Sequence, residues 1–281
     1  MTKIFTMDNM DGALPYMDKK VFDYIYECCT ENFECFDNFD LIVFDFYDIR
    51  GDGANCGKLM IYTDKCNLLI FCENNPLKDK VTKMISELKH EENDNCALVM
   101  YRFFERLLRG DPGYLQGYEQ KLNESEDGIL SDMSEFNPRI FIKWRKELIH
   151  LKRYYVQLNT IFDEISDNDN ELIPKSVLHR FNTLCRRTER YISIVMNLQE
   201  TVRQIREAYQ AQISIKQNTL MQVFTLVTVI FLPLTLIVGW YGMNFVYMPE
   251  LRWKYGYAAV ISLCVILSAA MVWIFKKKKW M

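Results

Sequence analysis

Two long runs without a single charged residue most constrain what this chain can fold into. Residues 220–240 read LMQVFTLVTVIFLPLTLIVGW, and residues 257–275 read YAAVISLCVILSAAMVWIF. An α-helix rises about 1.5 Å per residue, so about 20 apolar residues cross a hydrocarbon core about 30 Å thick. Lipid offers the backbone no hydrogen-bond partners, so each span is predicted to be helical. A pair of buried core helices would also be apolar, but runs this long and uncharged are unusual in soluble helices. Trp240, Tyr241, Trp253, Tyr255 and Tyr257 crowd the short connection between the runs, where an interfacial aromatic belt is expected.

Charge sets the expected orientation. Lys276, Lys277, Lys278 and Lys279 directly follow the second span, and Lys216 precedes the first. Basic residues favour the cytoplasmic side, so both termini are expected there, with the connection outside. Arg252 and Lys254 in the connection oppose this assignment and are outweighed by four consecutive lysines. Residues 1–12 carry Asp8 and Asp11 and no apolar core of a secretory signal, in keeping with a cytoplasmic start.

The 281 residues leave room for a sizeable soluble part before the spans. A net charge of −3 gives no footprint for nucleic acid. The nine cysteines are odd in number and irregularly spaced, with no pair of CxxC motifs. They read as free, mostly buried thiols in a reducing compartment rather than as a zinc ribbon.

Residues 3–7 are compatible with a strand and residues 20–30 with a helix whose apolar face holds Val21, Tyr24, Ile25 and Cys28. Residues 41–50, 58–63 and 67–72 are rich in β-branched and aromatic side chains and predict a small, mainly antiparallel sheet. The intervening GDGANCGK lacks the spacing of a phosphate loop and reads as a strand connection. Helices are expected over 76–88, 97–109, 114–130 and 139–165, with a break at Gly110, Asp111, Pro112 and Gly113. The fourth carries Phe141, Trp144, Leu148, Leu151, Tyr155, Leu158 and Phe162 on one face, and residues 167–170 form a polar turn.

From Lys175 no glycine or proline occurs until Pro233. One very long helix, running from the soluble part into the first span, is the simplest reading. Tyr191, Val195, Leu198, Val202, Ile205 and Tyr209 alternate spacings of four and three, a seam that must pack on another helix of this chain or of a neighbour. The fold class expected is an α+β domain in an α/β/α-like arrangement, then a very long helix and a two-helix C-terminal membrane hairpin. The corresponding divisions are 1–138 for the α/β domain, 139–218 for the long cytoplasmic helices and 219–241 for the first span. An outer loop over 242–256, a second span over 257–275 and a basic tail over 276–281 complete the chain.

At about 100° per residue, Met221, Thr228, Leu232, Thr235 and Gly239 fall on one stripe of the first span. Asn218 lies about a turn below and to one side. The stripe holds no carboxylate. Mg²⁺ prefers octahedral oxygen ligands and sheds water reluctantly, so such a surface suits a hydrated ion better than a stripped one. Met221 and Leu232 can form constrictions that close by dewetting. Pro233 removes a helical donor, and a bend there is expected.

The stripe leads into Tyr241-Gly242-Met243-Asn244-Phe245, followed by Met248-Pro249-Glu250-Leu251 and Trp253-Lys254-Tyr255-Gly256-Tyr257. With two C-terminal spans and a lysine tail, these residues resemble the CorA family of divalent-cation channels; the match is clear over about the last seventy residues. The resemblance implies a funnel-shaped homopentamer in the cell membrane that passes Mg²⁺, with Co²⁺ and Ni²⁺ as further cargoes. It implies pore-lining roles for Asn218, Met221, Phe224, Thr228, Leu232, Thr235 and Gly239. Gly242, Met243 and Asn244 would form the filter, Asn244 holding the ion through its hydration shell, and Glu250 would attract cations to the mouth or pair with Lys254. Phe224 and Thr228 depart from the better-known family pattern and put selectivity in question. The resemblance also implies closure by cytosolic Mg²⁺ at carboxylates between soluble domains. Asp45, Asp48, Asp52, Glu189, Glu200 and Glu207 are candidates, each of which also reads as a solvated surface acid. No nucleophile–base pair or zinc-protease motif is present, so a non-enzyme is expected. The zinc-transporting branch of the superfamily and a non-transporting membrane-anchored scaffold or sensor are the alternative readings.

Overall fold

The computed structural model describes residues 1–27, 32–49, 57–88, 95–131, 136–244, 248 and 253–278. The chain divides into two compact units, Met1–Arg206 and Glu207–Met281.

The first unit is built on a five-stranded sheet of β1 (Thr2–Thr6), β2 (Phe33–Cys35), β3 (Asp40–Phe46), β4 (Gly57–Thr63) and β5 (Leu68–Cys72). The spatial order is β1-β5-β4-β3-β2. Only β1 runs parallel to its neighbour; the other pairs are antiparallel. All five residues of β5 are buried, which requires cover on both faces. One face packs Leu41, Val43, Met60, Tyr62, Leu69 and Phe71 against Met10, Ala13, Phe22 and Ile25. Those four come from 3-10 turns over Met7–Tyr16 and from α1 (Lys19–Glu27). The other face meets α2 (Asn75–Ser86), α3 (Cys96–Leu107) and α5 (Ile140–Asp167), and α4 (Asp111–Ser131) lies between α3 and α5 in the chain. The layers are therefore helix, sheet, helix, as the strand and helix pattern predicted.

The differences from the sequence reading have local causes. The strand expected through residue 50 stops at Phe46, whose register partner Gly57 is the first residue of β4. Beyond it Tyr47 turns to His150 and Tyr154 of α5, and Asp48 pairs with Lys80 of α2. The expected break before α4 lies just earlier, because Asp111 and Pro112 already form its first turn, a position where proline's missing N–H costs nothing. On α1 the inward residues are Phe22 and Ile25; Tyr24 stays outside with its hydroxyl on Glu34. Strand β2 and the 3-10 turns are too short to show a period. Of the cysteines, Cys72, Cys96 and Cys185 are buried, but Cys35 and Cys66 are exposed and Cys264 is half-buried. Cys28, Cys29 and Cys56 lie outside the described residues, as does most of the GDGANCGK connection.

Helix α6 (Lys175–Tyr241) is one element of 67 residues. Its first half runs antiparallel to α5. Tyr191 packs on Tyr155 at 5.3 Å, Thr188 donates to Asn159 at 2.8 Å, and Phe181 meets Phe162 at 6.1 Å. Tyr191, Val195, Leu198, Val202 and Ile205 are all buried. The heptad seam is thus covered within the chain itself as far as Ile205, which answers a question the spacing left open.

Two polar contacts tie these elements together. The Tyr155 hydroxyl donates to Asp111 at 3.0 Å, and burial followed by the Asp111 charge pushes its pKa up. At the start of β3, Asp40 is 2% exposed and accepts from Asn170 at 2.7 Å. Burial pushes its carboxyl up, opposed by the hydrogen bonds from Asn170 and Cys35.

Phe104 is the centre of the helical layer. It is fully buried and meets Phe44, Phe103, Phe162 and Phe181. Phe104→Ala is expected to cost about 3–5 kcal/mol. In a thermal melt of the detergent-solubilised chain that corresponds to a midpoint lower by about 10 °C.

Candidate functional site: the open face of the apolar helix and its closing loop

The second unit holds the end of α6, the connection and α7 (Gly256–Lys277). Both helices are long and apolar enough to cross a membrane, and the apolar window of each is not buried. Exposed Trp240, Trp253, Tyr255 and Tyr257 gather near the connection.

Burial separates two faces of α6. Leu226, Ile230, Pro233, Leu234, Ile237 and Tyr241 are half-buried. On α7, Val260, Cys264, Leu267, Ser268, Met271 and Phe275 are half-buried in the same order of spacings. These matched stripes are the inner faces of the hairpin. At about 100° per residue, Met221, Phe224, Thr228, Leu232, Thr235 and Gly239 lie about 170° away from the covered stripe of α6. All six are exposed, Met221 at 63% and Leu232 at 65%. The predicted lining residues thus share one open face. Asn218 is exposed at its lower flank, and Pro233 lies on the covered side of a helix that continues through it.

The open face carries no charge, and its polar groups are the hydroxyls of Thr228 and Thr235 among apolar side chains. Thr228 donates its hydroxyl proton to the Phe224 carbonyl at 2.8 Å, and Thr235 donates to Phe231 at 2.8 Å. Thr225, beside the stripe, donates to Met221 at 2.7 Å. A threonine whose proton is held by its own helix presents only lone pairs outward. Such a surface accepts hydrogen bonds and does not donate them. A hydroxyl bonding the carbonyl one turn back is what a threonine in an apolar helix is expected to do, and Thr225 and Thr228 do so.

The helix closes at Gly242. Its N–H donates to the Val238 carbonyl at 2.9 Å, and the Met243 N–H reaches Trp240 at 3.4 Å. A Cβ on Gly242 would lie 3.0 Å from that Val238 oxygen. Close approach of backbone to backbone therefore explains the glycine. Met243 and Asn244 follow and are exposed. Gly239 differs: a Cβ there would meet nothing within 4 Å. Phe245 and Glu250 lie outside the described residues.

The candidate regulatory carboxylates are dispersed. Asp48 is paired with Lys80, while Asp45, Glu189 and Glu207 sit on exposed positions. Glu200 accepts hydrogen bonds from Arg203, which hold its carboxyl below the ordinary value. Asp52 lies outside the described residues. No group of three potential metal ligands gathers among the described residues.

The two glycines are expected to behave oppositely. Gly239→Ala should leave the thermal midpoint of the solubilised chain unchanged or raise it, since alanine is favoured by about 1 kcal/mol in a helix. Gly242→Ala should lower it, because the opposing atom is backbone and cannot swing away.

A family model described as CorA-like Mg2+ transporter protein matches residues 24–277. The chain is 26% identical over 255 residues to the cobalt/magnesium transport protein CorA of Thermotoga maritima, covering 88% of this chain and 72% of that protein. It is 36% identical over 202 residues to the magnesium transport protein CorA of Wolinella succinogenes, covering 72% of this chain and 57% of that protein. The fold is similar to the complete CorA magnesium transporter from Methanocaldococcus jannaschii. That likeness has a TM-score of 0.78 at 20% identity and covers 98% of this chain and 87% of the other.

Proposed function

The chain belongs to the CorA-like Mg2+ transporter family, and from that premise we propose that it forms a homopentameric pore through which hydrated Mg²⁺ passes down its electrochemical gradient. The observation that carries this reading is the uncharged, outward-accepting face of α6, opposite the stripe that holds α7 and ending at Gly242, Met243 and Asn244. A hydrated dication presents the protons of its waters, so its surroundings must accept hydrogen bonds. The lone pairs of Thr228 and Thr235 and the amide oxygen of Asn244 do so without stripping the shell, which Mg²⁺ gives up reluctantly. Asn218 would add an amide at the inner end. Met221, Phe224 and Leu232 would narrow the path and could close it by dewetting. Gly239, with no side chain, would leave it wide.

In this reading residues 139–218 form the cytoplasmic stalk, 219–241 the lining span and 257–275 the outer span. The 242–256 loop faces outside, with Glu250 raising local cation concentration. Lys276 to Lys279 hold the tail in the cytoplasm of the cell whose membrane the hairpin crosses. Closure by cytosolic Mg²⁺ belongs to the same proposal; its carboxylates are not assigned. Co²⁺ and Ni²⁺ are proposed as further cargoes, since binding through the water shell discriminates weakly among hexahydrated dications.

The test is Mg²⁺ flux into liposomes holding the purified protein. Wild type is expected to conduct and to be suppressed by Mg²⁺ on the cytoplasmic side, with Asn244→Ala at least about tenfold slower, a loss of about 1.4 kcal/mol in barrier terms. Flux of Zn²⁺ with none of Mg²⁺ would assign the zinc branch instead, and no dication flux under any condition would sink the pore. A second prediction separates hydroxyl from shape. Thr228→Val and Thr235→Val keep the volume and remove the acceptors, so each should slow Mg²⁺ flux several-fold with an unchanged thermal midpoint. Unaltered flux in the double variant would show that the threonines only fill space.

A further inference from the structure

Helix α7 ends in basic residues that its own chain does not neutralise. Lys276, Lys277 and Lys278 are exposed, and among the described residues none of them makes an ion pair. Between residues 208 and 278 the only acid is Glu250, which precedes the opposite end of α7 in the chain. The Lys277 ammonium lies 5.1 Å from the centre of the Trp273 ring, and Trp273 is 63% exposed.

The three lysines do not share a direction. The half-buried stripe of α7 runs through Val260, Cys264, Leu267, Ser268, Met271 and Phe275. At about 100° per residue, Trp273 lies about 170° from the centre of that stripe, Lys276 and Lys277 about 130° from it on either side, and Lys278 about 30° from it. Trp273 therefore faces away from the covered side, with Lys276 and Lys277 flanking it one turn further on. Lys278 leaves toward the covered side. A lysine in the last turn of a helix complements the helix dipole wherever it points, so the dipole does not account for a pair placed about an exposed tryptophan.

The uncharged run 257–275 stops directly before these lysines. With α7 across a bilayer, its last turn lies at the level of the headgroups, where tryptophan rings also settle. The outward side of that turn meets lipid rather than its own chain. A phosphodiester supplies the charge and the acceptor oxygens that two ammonium groups require. A zwitterionic headgroup brings an ammonium of its own, which competes with the lysines; an anionic headgroup does not.

We propose that Trp273, Lys276 and Lys277 form a site for an anionic phospholipid, its phosphate between the two ammonium groups and its acyl chain along the Trp273 ring. The proposal rests on the membrane-spanning reading of α7 and not on conduction.

The experiment is equilibrium binding of fluorescently labelled phosphatidylglycerol to the full chain in a non-ionic detergent. Saturable binding that weakens with salt is expected. Unlabelled phosphatidylglycerol should displace the probe, phosphatidylcholine at least about tenfold less well, and glycerol phosphate not at all. Lys276→Gln and Lys277→Gln should each weaken binding about fivefold, the scale of one lysine at an anionic surface, and Trp273→Ala should weaken it as well. Lys278→Gln, which removes the same charge on the other side of the helix, should leave it unchanged. A loss in Lys278→Gln equal to the others would show diffuse attraction to the tail and overturn the site, as would displacement by phosphatidylcholine as readily as by phosphatidylglycerol. Displacement by glycerol phosphate would overturn the assignment to a lipid. Wild type and variants should float equally with liposomes. A wild type that does not float sinks the spanning reading itself, whereas one that floats without preferring phosphatidylglycerol sinks this site alone.

Discussion

The structure depends on one helix keeping its own hydrogen bonds over 67 residues. Each turn of α6 satisfies its backbone without help from its surroundings, so the same element serves in a packed soluble unit and in an apolar stretch meant for lipid. The absence of glycine and proline from 175 to 232 makes that continuity possible. Side chains alone then decide what each length of helix does. Tyr191 to Ile205 are buried on α5 and the layers beneath it, while Leu226 to Tyr241 give one stripe to α7. Pro233, the one break in the pattern, sits on the covered stripe rather than on the open face.

The open face shows how a polar surface can be made without charge. A carboxylate there would hold a divalent ion strongly and would be costly to carry into the bilayer. Threonine places oxygen on the surface while its proton satisfies a carbonyl of the same helix, as at Thr228 and Thr235. The surface so produced is complementary to the outside of a hydrated cation. Gly242 ends the helix where its N–H meets Val238, and Asn244 follows directly beyond the open face.

Much of this was legible in the sequence. The uncharged runs gave both long helices of the hairpin, because a helix in lipid leaves a compositional trace in every residue. The sheet was visible at 41–46, 58–63 and 68–72 through β-branched and aromatic runs. Five positions of the open face, Met221, Thr228, Leu232, Thr235 and Gly239, were visible through their period, while Phe224 came from the family resemblance. Features without a period were not: the three-residue strand β2, the 3-10 turns of Met7–Tyr16, and the early end of β3, where Asp48 leaves the ladder for Lys80.

The sequence by itself determined the long helices and the three central strands, which stretch can enter a membrane and which residues share the face that ends at Gly242, Met243 and Asn244. Such properties follow from neighbours along the chain. Only the tertiary structure decided that the seam through Ile205 is covered within this chain and that the open face of α6 lies opposite its half-buried stripe. Those facts depend on which surfaces meet across long separations in sequence, and no local spacing records that.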